Sequence, residues 1–423
     1  MRILTLGINY WPEQTGIGPF TTWRCEYLAS RGHEVSVCTS FPYYPLWRVP
    51  EEYRGKFWQK EERNGVGVLR SWIWVPRRVT SVRRILHEAS FLASSLARAF
   101  TARKPDLLMI ESPPLGLAVS ANLLSRWWGI PYVYDVMDLQ PDAAADLGML
   151  PPGKLLRFLY GLERVAYRNA SLVSTLTEGM RQRIIDKQIS PEKVRVFPPR
   201  AEEDLFRIRR DRDGRAFRQA HGLDEDFLVL HSGNMGVKQG LEVVLKAAAL
   251  SRDEGVTYLL VGDGAMKPAL EAQATSMQLK NVRFLPLQDR DAFLSMLAAC
   301  DLSLVTQQRT VSDILFPSKT VTALASGCPV IASVNHGSEI ARVIKQSKAG
   351  IVIEPENPNQ LHETVQQLRI GSRLRAEMSV SGRRYARVHW DGAKILPAME
   401  RELVRLAGKA PLADVPEEVS LGI

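Results

Sequence analysis

The stretch F-L-V-L-H-S-G-N-M-G-V-K-Q-G-L-E-V-V-L-K-A-A-A-L, residues 227–250, indicates how this chain folds. It begins with a short apolar run, passes through a turn with three glycines, and ends in a helical stretch. A buried strand that leads through a glycine turn into a helix is the repeating unit of a parallel α/β sheet. Glycines at such a turn let backbone N–H groups approach a ligand, and the helix N-terminus favours an anion.

The same arrangement recurs along the chain and predicts two doubly wound α/β domains. The predicted strands are 2–7, 34–39, 106–110, 131–135, 171–175, 227–232, 256–261, 282–285, 301–305 and 328–332. Prolines in F-P-P at 197–199 interrupt helix and strand alike, so the boundary is predicted there. We expect Rossmann-like domains over 1–199 and 200–385 with a ligand cleft between them. A helix over 386–407 is expected to pack back on the N-terminal domain, and a mobile tail over 408–423 follows.

Composition and charge restrict the class of protein. The chain has 423 residues, of which 45% are hydrophobic and 24% charged, as is typical of a globular protein with two domains. No apolar run reaches the ~18 residues of a membrane-spanning helix, and no signal peptide is visible. The four cysteines lie in apolar segments without metal-ligand spacing, which favours buried reduced thiols and a cytoplasmic protein. The net charge of +9 lies within the first 200 residues, so one domain is expected to face an anionic partner.

Two glycine-bearing turns are candidate phosphate-binding sites. Gly16 lies in W-P-E-Q-T-G-I-G, after the first predicted strand and before a helix. Gly233, Asn234 and Lys238 lie in H-S-G-N-M-G-V-K-Q-G, at the equivalent place in the second domain. N–H donors, a helix dipole and an ammonium that converge in this way suit a diphosphate. The structural alternative is a plain strand-to-helix corner with a solvated lysine.

Two later segments add further candidates for a nucleotide site. Gly262 and Gly264 in V-G-D-G end a strand and are expected to let the chain pass close to a nucleotide base, unless the turn is purely structural. In L-F-P-S-K-T, Ser318 opens a helix and Lys319 lies in its first turn. A lysine opposes the helix dipole at that position, so an anionic partner for Lys319 is favoured over a solvated face.

Taken together, these segments resemble retaining GT-B glycosyltransferases of glycosyltransferase family 4. The similar segments are P-E-x-T-G-I-G at 12–18, R-G-H-E-V at 31–35, F-P-Y-Y-P at 41–45, G-N-M-G-V-K-Q-G-L-E at 233–242, V-G-D-G at 261–264 and F-P-S-K-x-x-x-A-L-A-S-G-C-P-V-I-A at 316–332. The F-P-Y-Y-P and P-S-K forms are most similar to the subgroup that builds colanic acid, O-antigen and other exopolysaccharides. The resemblance implies a C-terminal domain that binds a nucleotide sugar and an N-terminal domain that binds the acceptor.

The chain departs from the pattern of the resembled family at several positions. The family's glutamate pair, spaced E-x7-E, falls on Ile314 and Thr322, and its basic pair falls on Asn234 and Gln239. Its frequent His-Asp is Met-Asp here, with Asp138 as the second residue. Because of these departures, the resemblance identifies neither the donor nor the catalytic base.

Asp138 is the candidate catalytic residue, because it follows a buried-looking strand at the expected cleft and could orient or deprotonate an acceptor hydroxyl. Asp135 is the rival carboxylate, and the leaving phosphate is a third possible proton acceptor. Metal-dependent transferases use D-x-D, which occurs at 211–213, 224–226 and 289–291 in polar turns or helix starts rather than after apolar strands. We therefore expect no metal and no cofactor, with the diphosphate charge met by N–H groups, helix N-termini and lysines.

Three other functions remain as alternatives. A sugar-nucleotide epimerase of the same GT-B architecture would need no acceptor and no basic N-terminal face. A dinucleotide-dependent oxidoreductase would need G-x-G-x-x-G after a strand, and the opening turn supplies only T-G-I-G-P-F. A non-catalytic scaffold would not need the V-G-D-G and P-S-K segments.

The segment 76–100 predicts a membrane-facing helix. Its start contains four basic residues, Arg77, Arg78, Arg83 and Arg84. Basic charge opposes the helix dipole at that end, so an anionic partner is expected there. One apolar face is predicted from Ile85, Phe91, Leu92, Leu96 and Phe100. The resembled subgroup acts on polyprenyl-diphosphate-linked saccharides, which implies an anionic membrane surface at the inner face of the cytoplasmic membrane and no nucleic-acid partner. An ordinary core-facing helix with solvated arginines is the alternative.

Overall fold

The computed structural model describes residues 1–13, 16–78, 80–146, 148, 150–252, 254–311 and 318–410. Its strands are β1 (Arg2–Leu6), β2 (Glu34–Ser40), β3 (Trp58–Arg63), β4 (Val66–Ser71), β5 (Leu107–Ser112), β6 (Tyr132–Val136), β7 (Leu172–Thr175), β8 (Val194–Val196), β9 (Phe227–Ser232), β10 (Val256–Val261), β11 (Val282–Leu285), β12 (Leu302–Thr306), β13 (Val330–Ser333) and β14 (Gly350–Ile353). Its helices are α1 (Gly18–Ser30), α2 (Ser81–Ala99), α3 (Leu117–Trp128), α4 (Gln140–Asp146), α5 (Lys154–Asn169), α6 (Glu178–Asp186), α7 (Glu203–Arg207), α8 (Arg210–Asp213), α9 (Arg215–His221), α10 (Glu242–Leu250), α11 (Lys267–Ser276), α12 (Arg290–Ala299), α13 (Ser318–Ser326), α14 (Glu339–Ser347), α15 (Pro358–Ile370), α16 (Ser372–His389) and α17 (Gly392–Leu406).

The chain forms two compact units. Within the described residues, unit 1 comprises Met1–Pro198 and the chain from Ala393 to Ala410, and unit 2 comprises Pro199–Gly392. The chain therefore leaves unit 1 between two prolines and returns to it at the start of α17. The predicted helix over 386–407 corresponds to the end of α16 and to α17, which the residues around Trp390 separate. Of the predicted tail, residues 411–423 lie outside the described residues.

Unit 1 is built on a sheet whose described strands run in the order β3-β4-β2-β1-β5-β6-β7-β8. Only β3 pairs antiparallel, with β4; the other neighbouring strands are parallel. Strands β1 and β5 to β7 are apolar along most of their length and almost fully buried, because helices cover both faces of a parallel sheet. From β1 the chain moves outward to β2, and later returns to β5 on the other side of β1. This reversal makes the carboxyl ends of β1 and β5 the expected place for a ligand.

Unit 2 repeats the same principle in a sheet of the order β11-β10-β9-β12-β13-β14, in which every described pair is parallel. The chain order reverses between β9 and β12, so the corresponding crevice lies at their carboxyl ends. The predicted fold of two doubly wound α/β units is confirmed.

The antiparallel β3–β4 hairpin and strands β8 and β14 are elements that the strand prediction lacked. In β3, every position after the tryptophan is polar or charged, which hides the strand from a search for apolar runs. Its turn consists of Asn64 and Gly65, both with positive φ (47° and 77°), which is the conformation that an Asn-Gly hairpin turn adopts. The Asn-Gly dipeptide in the sequence could have predicted this hairpin.

All four cysteines are buried and free. Among the described residues, none of the helices is long and apolar enough to cross a membrane.

Candidate functional site

The loop between β1 and α1 in unit 1 is held by a buried carboxylate. Glu13 is only 6% exposed, and its Oε1 accepts hydrogen bonds of 2.8 Å from the backbone N–H groups of both Tyr43 and Tyr44. Its Oε2 accepts a third hydrogen bond, of 2.7 Å, from the Asn9 side-chain amide. Burial raises the pKa of Glu13, while the three hydrogen bonds favour its charged form. The carboxylate thus fastens the first loop to the F-P-Y-Y-P segment.

Gly16 lies in this loop with a φ of +71°, a conformation that favours glycine. A Cβ atom there would stand 3.2 Å from the ring of Tyr44, so the ring covers the glycine closely. The two residues before Gly16 lie outside the described residues. The structure therefore supports a conformational need for glycine at this position, at the carboxyl end of β1.

A buried acid also lies behind the loop. The Thr21 hydroxyl of α1 donates a hydrogen bond of 2.5 Å to Oε2 of Glu111, at the end of β5. A Cβ at Gly7 would lie 2.4 Å from that same oxygen, so the glycine makes room for the acid. Burial raises the pKa of Glu111 to about 8, and the neighbouring charge of Asp135 adds to the rise. Glu111 is consequently mostly protonated at neutral pH.

Asp135, the rival catalytic carboxylate, is engaged in an internal ion pair. It pairs with the Arg24 guanidinium of α1 and accepts a hydrogen bond of 2.5 Å from the Ser174 hydroxyl of β7. Both charged residues are almost fully buried. A carboxylate held in this way joins α1 to the sheet, and both of its oxygens are occupied by side chains of this chain.

Asp138, the candidate catalytic residue, lies in the bend between β6 and α4 and is half-buried. The helix that follows it is anchored by a partly buried cluster: Lys187, the residue after α6, donates hydrogen bonds of 2.5 Å to Asp142 of α4 and 2.7 Å to Glu163 of α5. Asp138 therefore lies at the carboxyl end of the sheet, as Gly16 does, and the helix that follows it is held in place.

In unit 2, the loop after β9 contains three of the predicted site residues. Gly233 has a φ of +118°, Asn234 is exposed, and Lys238 lies in a single 3₁₀ turn at Val237–Gln239. The Lys238 carbonyl accepts a hydrogen bond of 2.9 Å from the backbone N–H of Gln308, which follows β12. The loops at the two sides of the topological reversal are thus tied together.

The V-G-D-G turn after β10 packs directly on this loop. A Cβ at Gly262 would lie 2.0 Å from the Gly233 carbonyl oxygen, and a Cβ at Gly264 would lie 2.5 Å from the Met235 carbonyl oxygen. Both glycines have φ values that other residues rarely adopt, +138° and +153°. Contact between two backbone segments therefore accounts for both glycines, and their approach to a nucleotide base stays a prediction.

Lys319 lies at the start of α13, where its ammonium is 3.4 Å from Nε2 of His231 in β9. His231 is fully buried, and burial together with the Lys319 charge holds its pKa well below the usual range. The imidazole is therefore neutral. Burial lowers the pKa of Lys319 to about 7, and no carboxylate among the described residues offsets that effect. The sequence alone had indicated an anion for this lysine.

Ser318 and Thr322 lie on either side of Lys319 in α13. Residues 312–317, with Ile314 of the expected glutamate pair, lie outside the described residues. Ser318 is exposed, and its carbonyl accepts a hydrogen bond of 3.2 Å from the hydroxyl of Thr322, the second position of that pair. Unit 2 thus brings Gly233, Asn234, Lys238 and Lys319 to the carboxyl ends of β9 and β12.

Comparison with known proteins matches both halves of the chain to families. The family model described as "Glycosyl transferase 4-like domain" matches residues 15–200, and "Glycosyl transferases group 1" matches residues 213–385. The chain is 36% identical over 374 residues to the putative colanic acid biosynthesis glycosyl transferase WcaI of Escherichia coli K12, covering 87% of this chain and 92% of that protein.

The chain belongs to glycosyltransferase family 4. A more distant relative is the probable glycosyltransferase WbjE of Pseudomonas aeruginosa, 26% identical over 63% of this chain and 67% of that protein. The crystal structure of Anabaena Alr3699/HepE in complex with UDP has the same fold, with a TM-score of 0.70 at 18% identity, over 96% of this chain and all of that one. The protein is therefore a GT-B transferase. Since the matching families and curated relatives are glycosyltransferases, the epimerase alternative is not favoured.

The D-x-D pairs of this family 4 member have structural roles. Asp213 accepts a hydrogen bond from the backbone N–H four residues earlier, Asp226 accepts one from the Thr257 hydroxyl, and Asp289 caps α12. Within the described ranges, no group of three or more His, Cys, Asp or Glu residues could hold a metal ion.

The four arginines of the predicted membrane segment are all exposed, around the start of α2. Arg84 forms an ion pair of 3.2 Å with Glu88, and Arg83 donates to the Arg78 carbonyl. Of the five apolar residues predicted to share one face of this helix, Ile85, Leu92, Leu96 and Phe100 lie on one side and Phe91 lies on the other. Phe91 is fully buried against the sheet, whereas Ile85 and Phe100 are 56% and 44% exposed, because their spacing turns them to the opposite side.

Two residues that sequence reasoning missed are Glu13 and His231. Glu13 stood inside the P-E-x-T-G-I-G segment and was the only carboxylate there, which was an available signal. His231 interrupts an otherwise apolar strand, but a buried histidine in a strand gives no indication of its partner before the fold is known.

Proposed function

We propose that this enzyme transfers a sugar, with retention of anomeric configuration, from a nucleoside-diphosphate sugar to a saccharide carried on a lipid diphosphate. The reaction would serve the synthesis of a cell-surface polysaccharide at the cytoplasmic face of a membrane. Family membership and the 36% identity to a colanic acid transferase support the reaction class and the polysaccharide setting. The UDP bound to HepE, a protein of the same fold, supports a nucleotide donor.

The observation that carries the donor proposal is the Lys319–His231 pair. A buried neutral imidazole beside a lysine offers no charge of its own, and no carboxylate among the described residues offsets the charge of the ammonium. A diphosphate oxygen would supply the missing counter-charge. The loop after β9 adds Lys238 at the same end of the sheet, whereas the N–H groups of Gly233 and Met235 already donate to carbonyls of Val261 and Asp263. Phosphate sites of nucleotide-binding α/β folds lie at this end of the sheet.

The same groups would act during the reaction. As the acceptor oxygen bonds to the anomeric carbon, the bond from that carbon to the phosphate oxygen breaks, and negative charge grows on the departing diphosphate. Lys319 and Lys238 would stabilise this charge more strongly in the transition state than in the ground state. The acceptor proton would pass to the leaving phosphate oxygen, with Asp138 orienting the acceptor hydroxyl. This account requires neither a metal nor a cofactor.

The anionic partner proposed for the basic start of α2 is the membrane that carries the acceptor. Arg77, Arg78, Arg83 and Arg84 are exposed there, and each basic side chain near an anionic surface contributes about 1 kcal/mol. Changing all four to glutamate should abolish binding to anionic vesicles at low salt. Unchanged co-sedimentation would show that these arginines serve only the solubility of the helix.

A nucleotide panel tests the donor proposal. Calorimetry with UDP, GDP, ADP and dTDP should identify one base with clear affinity, and Lys319→Met should weaken that affinity while Lys246→Met, an exposed lysine on α10, should not. Proton NMR of the product made from the matching α-linked donor should show an α-linkage. A β-linkage would contradict retention, and equal affinity of Lys319→Met and the control would remove Lys319 from the site.

A further inference from the structure

Helix α3 of unit 1 is apolar on its outer side as well as its inner side. Val119, Leu123 and Trp127 follow one another at intervals of four residues and are 48%, 47% and 73% exposed. Residues four apart lie on one face of a helix, so these side chains form a continuous stripe. A surface helix usually turns one apolar face inward and a polar face outward. Helix α3 departs from that pattern along its whole length.

Its neighbours α5 and α2 carry similar stripes. On α5, the exposed apolar residues are Leu155, Phe158 and Val165, spaced by three and seven residues, with Phe158 65% exposed. On α2, the first turn exposes Val82, Ile85 and Leu86, and exposed alanines continue the line to Phe100. The apolar exterior is therefore shared by three helices.

The three stripes belong to one surface, which we call the α2–α3–α5 face. Helix α3 packs against both α2 and α5. The rings of Phe100 and Trp127 lie 5.8 Å apart, which joins the stripe of α2 to that of α3. Among the described residues, most of the exposed large apolar side chains lie in unit 1 rather than unit 2. A contiguous exposed apolar patch of this kind marks an interaction surface.

The charge on the same helices identifies the kind of partner. Every exposed charged side chain described on them is basic: Arg83, Arg84, Arg126, Lys154, Arg157, Arg164 and Arg168. Their two glutamates, Glu88 and Glu163, are part-buried and buried, and they pair with Arg84 and Lys187. A second copy of this face would bring like charges together, whereas an anionic bilayer offers opposite charge above and apolar chains below.

We infer that the α2–α3–α5 face lies flat on an anionic lipid bilayer, with its apolar side chains inserted below the phosphate layer and its basic side chains at the phosphates. This inference extends the basic attachment at α2 to three helices and rests on the proposed lipid-carried acceptor for its setting. Amphipathic helices that lie in the interface bury their apolar face to about 5–10 Å. Trp127 has the amphipathic ring that favours the boundary between headgroups and acyl chains.

The test separates apolar insertion from charge attraction. The triple variant Leu123→Ser, Trp127→Ser, Phe158→Ser removes apolar side chains from α3 and α5 and leaves every arginine in place. The control, Ile370→Ser, Val380→Ser, Val388→Ser, changes exposed apolar residues of unit 2. Co-sedimentation uses vesicles of phosphatidylcholine with about 30% phosphatidylglycerol, in about 0.1 M and about 0.5 M salt.

Wild type and control should bind at both salt concentrations, more weakly at the higher one. The triple variant should bind about a hundredfold more weakly at both, because the lost apolar contacts are not screened by salt. All six changed side chains are exposed, so the melting temperatures should match that of the wild type. Equal binding of triple variant and control would overturn the inference. The inference would also be overturned if the wild type self-associated without lipid and the triple variant did not, because the face would then join copies of this chain.

Transfer assays distinguish failure of this inference from failure of the proposed function. If the wild type transfers sugar to a polyprenyl-diphosphate acceptor and the triple variant still binds vesicles normally, only the docking face is refuted. If the triple variant loses vesicle binding but the wild type transfers sugar only to free saccharides, the lipid-carried acceptor is refuted and the docking face stands.

Discussion

Proton uptake on nucleotide binding is the sharpest consequence of the Lys319–His231 contact. Burial lowers the pKa of Lys319 to about 7 in the free protein, so about half of the molecules lack the ammonium proton at pH 7 and about nine-tenths lack it at pH 8. A diphosphate beside the lysine favours the charged form and raises that pKa. Binding should therefore take up about 0.5 proton at pH 7 and about 0.9 at pH 8.

The affinity should follow the same protonation. Below about pH 6 it should be insensitive to this group, and above about pH 7 it should fall towards tenfold per pH unit until the pKa of the complex is reached. A charge-assisted hydrogen bond contributes about 1.5–3 kcal/mol, so Lys319→Met should bind roughly 10- to 150-fold more weakly at pH 6. The variant should also lose the proton uptake.

Calorimetry in two buffers of different ionisation enthalpy measures the uptake directly, because the buffer supplies the proton. Lys246→Met serves as the matched control, since it removes an exposed ammonium from α10 of the same unit. Uptake that persists in Lys319→Met would assign the titration to another group. No uptake in the wild type between pH 6 and pH 8 would refute the reasoning from burial.

The remaining predictions concern the acid residues of unit 1 and the metal. Asp138→Asn should lower turnover by about 10²–10⁴-fold with little change in nucleotide affinity, and near-normal turnover in the transfer assay would remove Asp138 from the reaction. Transfer should continue in excess EDTA; loss of activity that magnesium or manganese restores would contradict the metal-free account. Burial raises the pKa of Glu111 from 4.5 to about 8, so the folded chain holds a proton there that the unfolded chain releases, and stability should fall as pH rises through that range, by at most about 5 kcal/mol. Glu111→Gln should flatten this slope in urea unfolding, and an unchanged slope would exclude Glu111 as its source. Glu13→Ala should lower the free energy of unfolding by about 3–5 kcal/mol, because three buried donors lose their acceptor; a loss below about 1 kcal/mol would show that water replaces the carboxylate.

The sequence was most informative where local chemistry decides the structure. The glycine turns after β1 and β9 and the apolar strands of both sheets follow from short-range patterns, and they were predicted with the correct fold. Lys319 was selected as a candidate because a lysine at a helix start conflicts with the dipole, a conflict that is visible without coordinates.

The sequence was least informative where partners are distant along the chain. Arg24 and Asp135 are more than one hundred residues apart, so nothing local indicates that the rival carboxylate is already paired. The charged strand β3 is formed by pairing with β4 rather than by its own residues. The outward apolar stripes of α3 and α5 could not be distinguished from core-facing ones, because periodicity reveals a face but not its direction.

The return of the chain to unit 1 at α17 affects the order in which the protein can be completed. Glu400 of α17 is buried, and it binds Tyr27, Arg31 and His33 at distances of 2.8, 3.2 and 3.0 Å. On the ribosome, those three residues emerge long before their partner, with the whole of unit 2 synthesised in between. A nascent unit 1 therefore exposes Tyr27, Arg31 and His33 at the end of α1 and in the turn after it, and unit 2 can complete its own sheet first. A recombinant fragment that ends at Pro198 would lack their buried partner permanently, so unit 1 should be produced with α17 joined to it by a linker.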